Sequence, residues 1–242
     1  MIERLRTLPA AESLRLIAFD LDGTLIDSRA DLVASVNATL VSLDRQPLPD
    51  AVIASYIGDG VQMLVRRALG DPTHDEIVTR AVEFFLAYYS LHKLDHTYVY
   101  AGARESLALL ASALPQAKLA VLTNKPVRPA EEICRALGLA PYCFRIYGGN
   151  SFETKKPDPL GLKNLMREAG AAPEETLMVG DSDVDVLTAR NAGAAVLGCR
   201  FGLAPHSLAD ATPDCLVDSA AEWPEAMGIS QTAPARAPTI GI

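Results

Sequence analysis

No Cys-x-x-Cys pair occurs in the chain, and its four cysteines (Cys134, Cys143, Cys199 and Cys215) stand apart among apolar neighbours. A zinc site needs closer spacing or histidine partners, so these thiols read as reduced core or boundary residues, as in a reducing cytoplasm. No apolar run approaches the roughly 20 residues that span a bilayer. The first residues include Glu3, Arg4 and Arg6 and lack the apolar centre of a secretory signal. Basic patches are missing as well, and the formal net charge of −8 argues against a nucleic-acid partner. That charge does not exclude a phosphate substrate, because a bound cation inverts the local field. Internal repeats are absent. What is present is an ordinary globular composition, 49% hydrophobic and 21% charged over 242 residues. Such a length holds one large domain or a core with an inserted lobe.

The most informative stretch is Phe19-Asp20-Leu21-Asp22-Gly23-Thr24-Leu25. It follows the short apolar run Leu16-Ile17-Ala18-Phe19, which reads as a buried strand. Two carboxylates then stand two residues apart where that strand ends, and ligands bind at strand ends in open parallel sheets. A buried carboxylate pair is costly unless a cation or proton neutralises it, so the arrangement asks for a metal.

After this stretch the pattern is helical. Leu32, Val33, Val36, Leu40 and Leu43 share one stripe, broken by Pro47 and Pro49. A short helix around 50–56 ends at Gly58-Asp59-Gly60, a third carries Val61, Leu64, Val65, Ala68 and Leu69, and a fourth runs from Ile77 to Leu91. From Gly102 onward helices and strands alternate. Strands are expected at Leu119–Leu122, Arg145–Gly148, Thr176–Val179 and Ala194–Leu197, with Leu216-Val217 as a last edge strand. Alternation of this kind implies a parallel sheet with right-handed crossovers and helices on both faces. The expected fold is α/β, a doubly wound Rossmann-like parallel sheet core with an inserted small α-helical cap. The core takes residues 15–28 and 96–228, the cap 29–95. Residues 1–14 read as a short, partly helical, dispensable leader, and 229–242, rich in Ala, Pro and Thr, as a disordered tail.

Three more strand ends carry polar clusters. Val121-Leu122-Thr123-Asn124-Lys125 ends at Pro126 and offers a hydroxyl and backbone N–H groups that can hold phosphate oxygens. In Lys155-Lys156-Pro157-Asp158-Pro159 two prolines restrict the backbone, so a lysine there can be aimed at one spot. Gly180-Asp181-Ser182-Asp183-Val184-Asp185 opens a helix with Asp181 and Asp185 four apart, like charges that repel unless a cation lies near. Turns, solvated lysines and N-caps explain any one fragment, but not the set in this order.

The string DLDGTL and the three later clusters together resemble the four motifs of the haloacid dehalogenase-like phosphohydrolases. The resemblance covers residues 16–200. More narrowly the chain is similar to the bacterial phosphoglycolate phosphatases. The strings behind this are Asp27-Ser28, Asp31-Leu32, Ile57-Gly58-Asp59-Gly60, Arg67-Ala68-Leu69, Tyr88-Tyr89, Thr123-Asn124-Lys125-Pro126, Gly148-Gly149 and Lys155-Lys156-Pro157. The resemblance implies that Asp20 is the nucleophile and Asp22 the general acid and base. Thr123, Asn124 and Lys156 (chosen over Lys155 because it directly precedes the proline) would bind the substrate phosphate. Mg²⁺ would be held by Asp20, the backbone carbonyl of Asp22 and Asp181, with Asp185 behind them; oxygen-only ligands suit it. Gly58, Asp59, Gly60 and Arg67 (or Arg66) become candidates for reading the leaving group from the cap. The family often has Asn where this chain has Asp59. The expectation is that Asp59 faces away from the substrate and caps the helix that starts near Val61. The implied reaction is Mg²⁺-dependent hydrolysis of 2-phosphoglycolate through an aspartyl-phosphate. The alternatives are another small ester such as a sugar phosphate, or a phosphomutase on the same core. The expected partner is a small phosphorylated metabolite, met by a cytoplasmic monomer or homodimer.

Overall fold

In the computed structural model, which describes residues 1–209 and 211–229, seven strands form one sheet in the order β1-β9-β8-β7-β2-β5-β6. The five central and right-hand members are β2 (Leu16–Phe19), β5 (Lys118–Leu122), β6 (Arg145–Tyr147), β7 (Thr176–Gly180) and β8 (Ala195–Cys199). With β9 (Cys215–Val217) they pair parallel throughout. The unbroken apolar runs have a simple cause, since strands covered by helices on both faces cannot alternate apolar with polar. Alternate residues still part company. Ile17, Phe19, Val121 and Val179 join one core cluster, with Leu107 and Leu110 of α5 (Ala103–Ala113), Ile133 of α6 (Val127–Ala136) and Trp223. Leu16, Ala18, Ala120 and Met178 point the other way, onto Leu162 and Leu165 of α7 (Leu160–Ala169) and Val186 and Ala189 of α8 (Asp183–Ala192). The fold is therefore doubly wound.

β2 lies between β5 and β7, so the chain builds outward first to one side of it and then to the other. That reversal opens a crevice at the carboxyl end of β2, the usual place for a ligand in this architecture. Asp20 is the first residue past the strand, and its N–H still donates to the Val179 carbonyl at 2.9 Å.

Helices α1 (Arg29–Ser42), α2 (Asp50–Ala54), α3 (Val61–Ala68) and α4 (Asp75–His92) form a block between β2 and α5, with α4 against both α1 and α3. A two-stranded antiparallel ribbon, β3 (Ile26–Asp27) with β4 (Tyr98–Val99), joins the two passages of chain into and out of that block. The pattern did not foretell these two-residue strands. Asp31, buried near the start of α1, fixes the exit by accepting the backbone N–H groups of His96 and Thr97 and the Thr97 hydroxyl.

The N-terminus departs from expectation. Instead of a loose leader, β1 (Glu3–Arg4) pairs antiparallel with β9, and Leu8 and Leu14 are buried. Leu216–Val217 therefore belongs to an inner strand, and β1 is the edge. Without β1, the outer N–H and C=O groups of β9 would lie open. Two charged residues carry no periodic signal, which is why the sequence did not reveal the strand. Of the expected tail, Ile229 packs in the core cluster, and 230–242 lie outside the described residues.

Candidate active site

The sheet brings residues from four strand ends to one crevice. Asp20 follows β2, Thr123 and Asn124 follow β5, Lys156 comes from the turn before α7, Asp181 lies between β7 and α8, and Asp185 sits in the first turn of α8. All six are buried. Oxygens of Asp20, Asp181 and Asp185 approach within 4.8 Å of one another. Three carboxylates this close and this dry need compensation.

Lys156 supplies part of it. Its Nζ lies 2.9 Å from Asp20 Oδ1 and 2.6 Å from Asp185 Oδ1. Burial alone would drive this ammonium towards neutrality, but Asp185 and then Asp20 outweigh it and hold the charge. Asp185 is fully engaged, because its Oδ2 accepts the Ser182 hydroxyl at 2.8 Å and the Ser182 N–H at 3.2 Å. Asp181 Oδ2 accepts the N–H groups of Leu203 at 2.7 Å and Ala204 at 3.0 Å, and its Oδ1 meets only the Thr24 hydroxyl, at 3.4 Å. These bonds do not balance the field. Burial first, then Asp185 and Asp20, push the Asp181 carboxyl up to about 8. Asp20 is also held above the ordinary carboxylate range, mainly by burial and against the pull of Lys156.

This donor set fits a hard divalent cation. Asp20 Oδ1 is buried without an aligned hydrogen bond, despite its ion pair with Lys156. Asp181 Oδ1 is nearly free. Carboxylate oxygens alone favour Mg²⁺ over softer metals. The backbone is shaped round the same spot: Gly23 has φ +91°, and a Cβ there would collide with the Asp181 carboxylate.

Asp22 sits apart from this group. The Lys125 ammonium bonds both of its oxygens, at 2.8 and 2.9 Å, and the Ser28 hydroxyl donates at 2.5 Å. Lys125 is buried, and its Nζ lies 4.8 Å from the ring centre of Tyr89 on α4. Burial would lower the Lys125 pKa, but the charge of Asp22 raises it, so the ammonium persists. Sequence reasoning assigned no role to Lys125, Ser28 or Tyr89. One signal was available, since Thr123 and Lys125 are two apart beyond a strand and can share a side.

Over these residues closes a cleft between the sheet and the helical block. Asp20, Asp22, Thr123 and Asn124 line its floor, and Gly58 and Gly60 its roof. Asn124 Nδ2 ties the two halves, donating to the carbonyls of Gly58 and Lys156, each at 3.1 Å. Lys155 reaches the other way from Lys156 and donates to the Asp59 carbonyl at 2.5 Å. Asp59 and Arg67 do not line the cleft. Their side chains pair with each other at 2.6 Å, and Gly60, not Asp59, precedes α3 with no side-chain cap. Asp59 is thus a salt-bridge partner and not the expected helix cap. Arg66 pairs with Asp75.

A doubly wound sheet with buried aspartates at its switch point and a helical lid above defines a class. The chain belongs to the haloacid dehalogenase-like hydrolases, whose family model matches residues 17–199. It is 40% identical over 213 residues to the phosphoglycolate phosphatase of Chromobacterium violaceum, covering 86% of this chain and 94% of that one. Identity to the phosphoglycolate phosphatase of Neisseria meningitidis is 39% over 222 residues, 88% of this chain and 93% of that one. A crystal structure of a predicted phosphoglycolate phosphatase from Haemophilus somnus superposes with a TM-score of 0.81 at 30% identity, covering 87% of this chain and 96% of that one. The protein is a phosphatase of this family, a phosphoric monoester hydrolase.

Proposed function

We propose that the protein hydrolyses 2-phosphoglycolate to glycolate and phosphate, with Mg²⁺ as cofactor and an aspartyl-phosphate on Asp20 as intermediate. The observation that carries this reading is the buried set of Asp20, Asp181 and Asp185 bound to Lys156 beneath a lidded cleft. Asp20, Asp181 and the backbone carbonyl of Asp22 would hold Mg²⁺. The ion would offset the repulsion between an anionic phosphate and this anionic site, about 4 kcal/mol per contacting pair near a surface. Asp185 holds Lys156 in place from behind.

Asp22 enters the cycle as the protonated acid once substrate is bound: an Asp20 oxygen attacks phosphorus in line, the P–O bond to glycolate breaks, and Asp22 passes that proton to the departing alkoxide. Asp22, now a base, takes a proton from water as that water attacks the phosphorylated Asp20. The new P–O bond forms, the bond to Asp20 breaks, and phosphate leaves. The Thr123 hydroxyl, the backbone N–H of Asn124 (whose side-chain amide is spent on Gly58 and Lys156) and the third Lys156 N–H present hydrogen-bond donors to the phosphoryl oxygens, and their fixed placement stabilises charge in transit. Residues 29–95 serve as the cap and keep bulk water away until the intermediate has formed. A small metabolite is the partner this narrow cleft suits, met by a monomer or homodimer in the cytoplasm. Among the described residues, no helix is long and apolar enough to cross a membrane.

The test is a rate profile over a panel of phosphate monoesters, with Mg²⁺ and with EDTA, for the wild type and Asp20→Asn. Phosphoglycolate should lead, EDTA should silence turnover, added Mg²⁺ should restore it, and the variant should be folded but inactive. Full activity in EDTA, or more than about a percent of wild-type turnover in a folded Asp20→Asn protein, refutes the mechanism.

A further inference from the structure

The groups just described hold the phosphoryl end of the substrate, and leave the other end unaddressed. On the reading above that end is a carboxylate, which must lose water as the lid closes and therefore needs a cation and hydrogen bonds. Arg67, the cap arginine suggested by sequence, is spent on Asp59 outside the cleft. Among the described residues that line the cleft, Lys125 alone carries a positive charge. An ammonium has three N–H groups. Two go to the oxygens of Asp22, and the third is turned towards Tyr89.

A second group beside it is unspent. Tyr89 is 3% exposed, lines the same cleft, and its hydroxyl is buried with no hydrogen-bond partner. A buried phenol usually finds one. Its ring and hydroxyl lie against the Lys125 ammonium, so a phenolic O–H still free to donate and a buried ammonium occupy one corner, next to Asp22. The leaving oxygen must pass Asp22 in order to be protonated, and the carboxylate of glycolate is two bonds beyond that oxygen. Apolar Leu32, Leu64 and Phe85 wall much of the rest.

We propose that Lys125 and Tyr89 form the binding site for the leaving group's carboxylate, with a core lysine supplying the charge and a cap tyrosine closing over it. The site rests on the phosphoglycolate reading and adds to it where selectivity lies. Because Tyr89 comes from the lid, a carboxylate bound between the two would also draw the halves together.

The experiment compares kcat/KM for 2-phosphoglycolate with that for 2-hydroxyethyl phosphate, in which an alcohol replaces the carboxylate. Tyr89→Phe keeps the ring and removes only the hydroxyl. The ratio of the two values should fall roughly tenfold, chiefly through KM for phosphoglycolate, the size expected for one hydrogen bond to a charged group. Lys125→Gln should lower it further, with partial recovery in Lys125→Arg. Inhibition by glycolate should weaken in Tyr89→Phe by a similar factor. A wild-type ratio near one overturns the phosphoglycolate reading and this site with it. A high wild-type ratio that survives Tyr89→Phe and Lys125→Gln, both esters slowing alike, overturns this site alone. If Lys125→Gln fails to fold, the Tyr89→Phe ratio and the glycolate inhibition still decide.

Discussion

Lys156→Met retains most of the side-chain length and removes the one ammonium that touches Asp20 and Asp185, at 2.9 and 2.6 Å. The side chains are 3% exposed for the lysine and 11% and 0% for the two aspartates, so water cannot take its place. Breaking a buried pair by removing one partner costs about 3–5 kcal/mol. In a chain of this size that lowers Tm by about 6–20 °C, at roughly 2–4 °C per kcal/mol. The deficit must depend on pH, with a definite sign. Without the cation, folded Asp20, already held above the ordinary carboxylate range by burial, holds a proton that the unfolded chain releases near that range. Stability then falls as pH rises, by up to roughly 1.4 kcal/mol per pH unit for each extra proton retained. The variant should therefore be nearest to wild type around pH 5 and furthest from it at pH 8. Thermal unfolding followed by circular dichroism in EDTA at both pH values measures this directly. A variant within about 1 kcal/mol of wild type at pH 8, or one whose deficit grows on acidification, would show that Lys156 does not balance the carboxylates.

The same linkage governs the metal-free wild type. Asp181 has a raised carboxyl, about 8, so its contribution is present in acid and lost as pH climbs from the ordinary carboxylate range towards 8; Tm in EDTA should fall over that window. Mg²⁺ should restore most at its upper end, and a Mg²⁺-induced shift larger at pH 5 than at pH 8 would reverse the sign. Asp59→Asn breaks a pair whose side chains are 31% and 36% exposed, worth about 1 kcal/mol or less. Neither Asp59 nor Arg67 lines the cleft, so relative kcat/KM across the ester panel should hold steady, and a several-fold rise specific to phosphoglycolate would place Asp59 at the substrate.

The six core positions were legible because each depends on local chain. A strand of four or five apolar residues ends where the next polar residue appears, and four such ends in order mark one edge of a parallel sheet. Asp20, Thr123 and Asp181 could thus be placed at strand ends before any coordinates, and Asp185 follows from helical spacing. The helical block was equally plain, as its stripes recur at 3.6-residue intervals. Short elements were not. β1, β3 and β4 each have two residues, too few for a period, and exist because a neighbouring strand offers open hydrogen-bonding groups.

What only the tertiary structure decided is which charges meet. Lys125 finds Asp22 across 103 residues of sequence, and Lys156 finds Asp185 across 29. Asp59 and Arg67 lie close enough in sequence to have been considered together, yet their pairing depends on how the loop before α3 folds back. A charged side chain gives no periodic signal, and its partner is chosen by burial and direction once the backbone is closed. The sequence determined where the buried polar groups would gather. The fold decided that Arg67 pairs with Asp59 outside the cleft and that Lys125 lies inside it against Asp22, because burial and direction choose the partner of each charge.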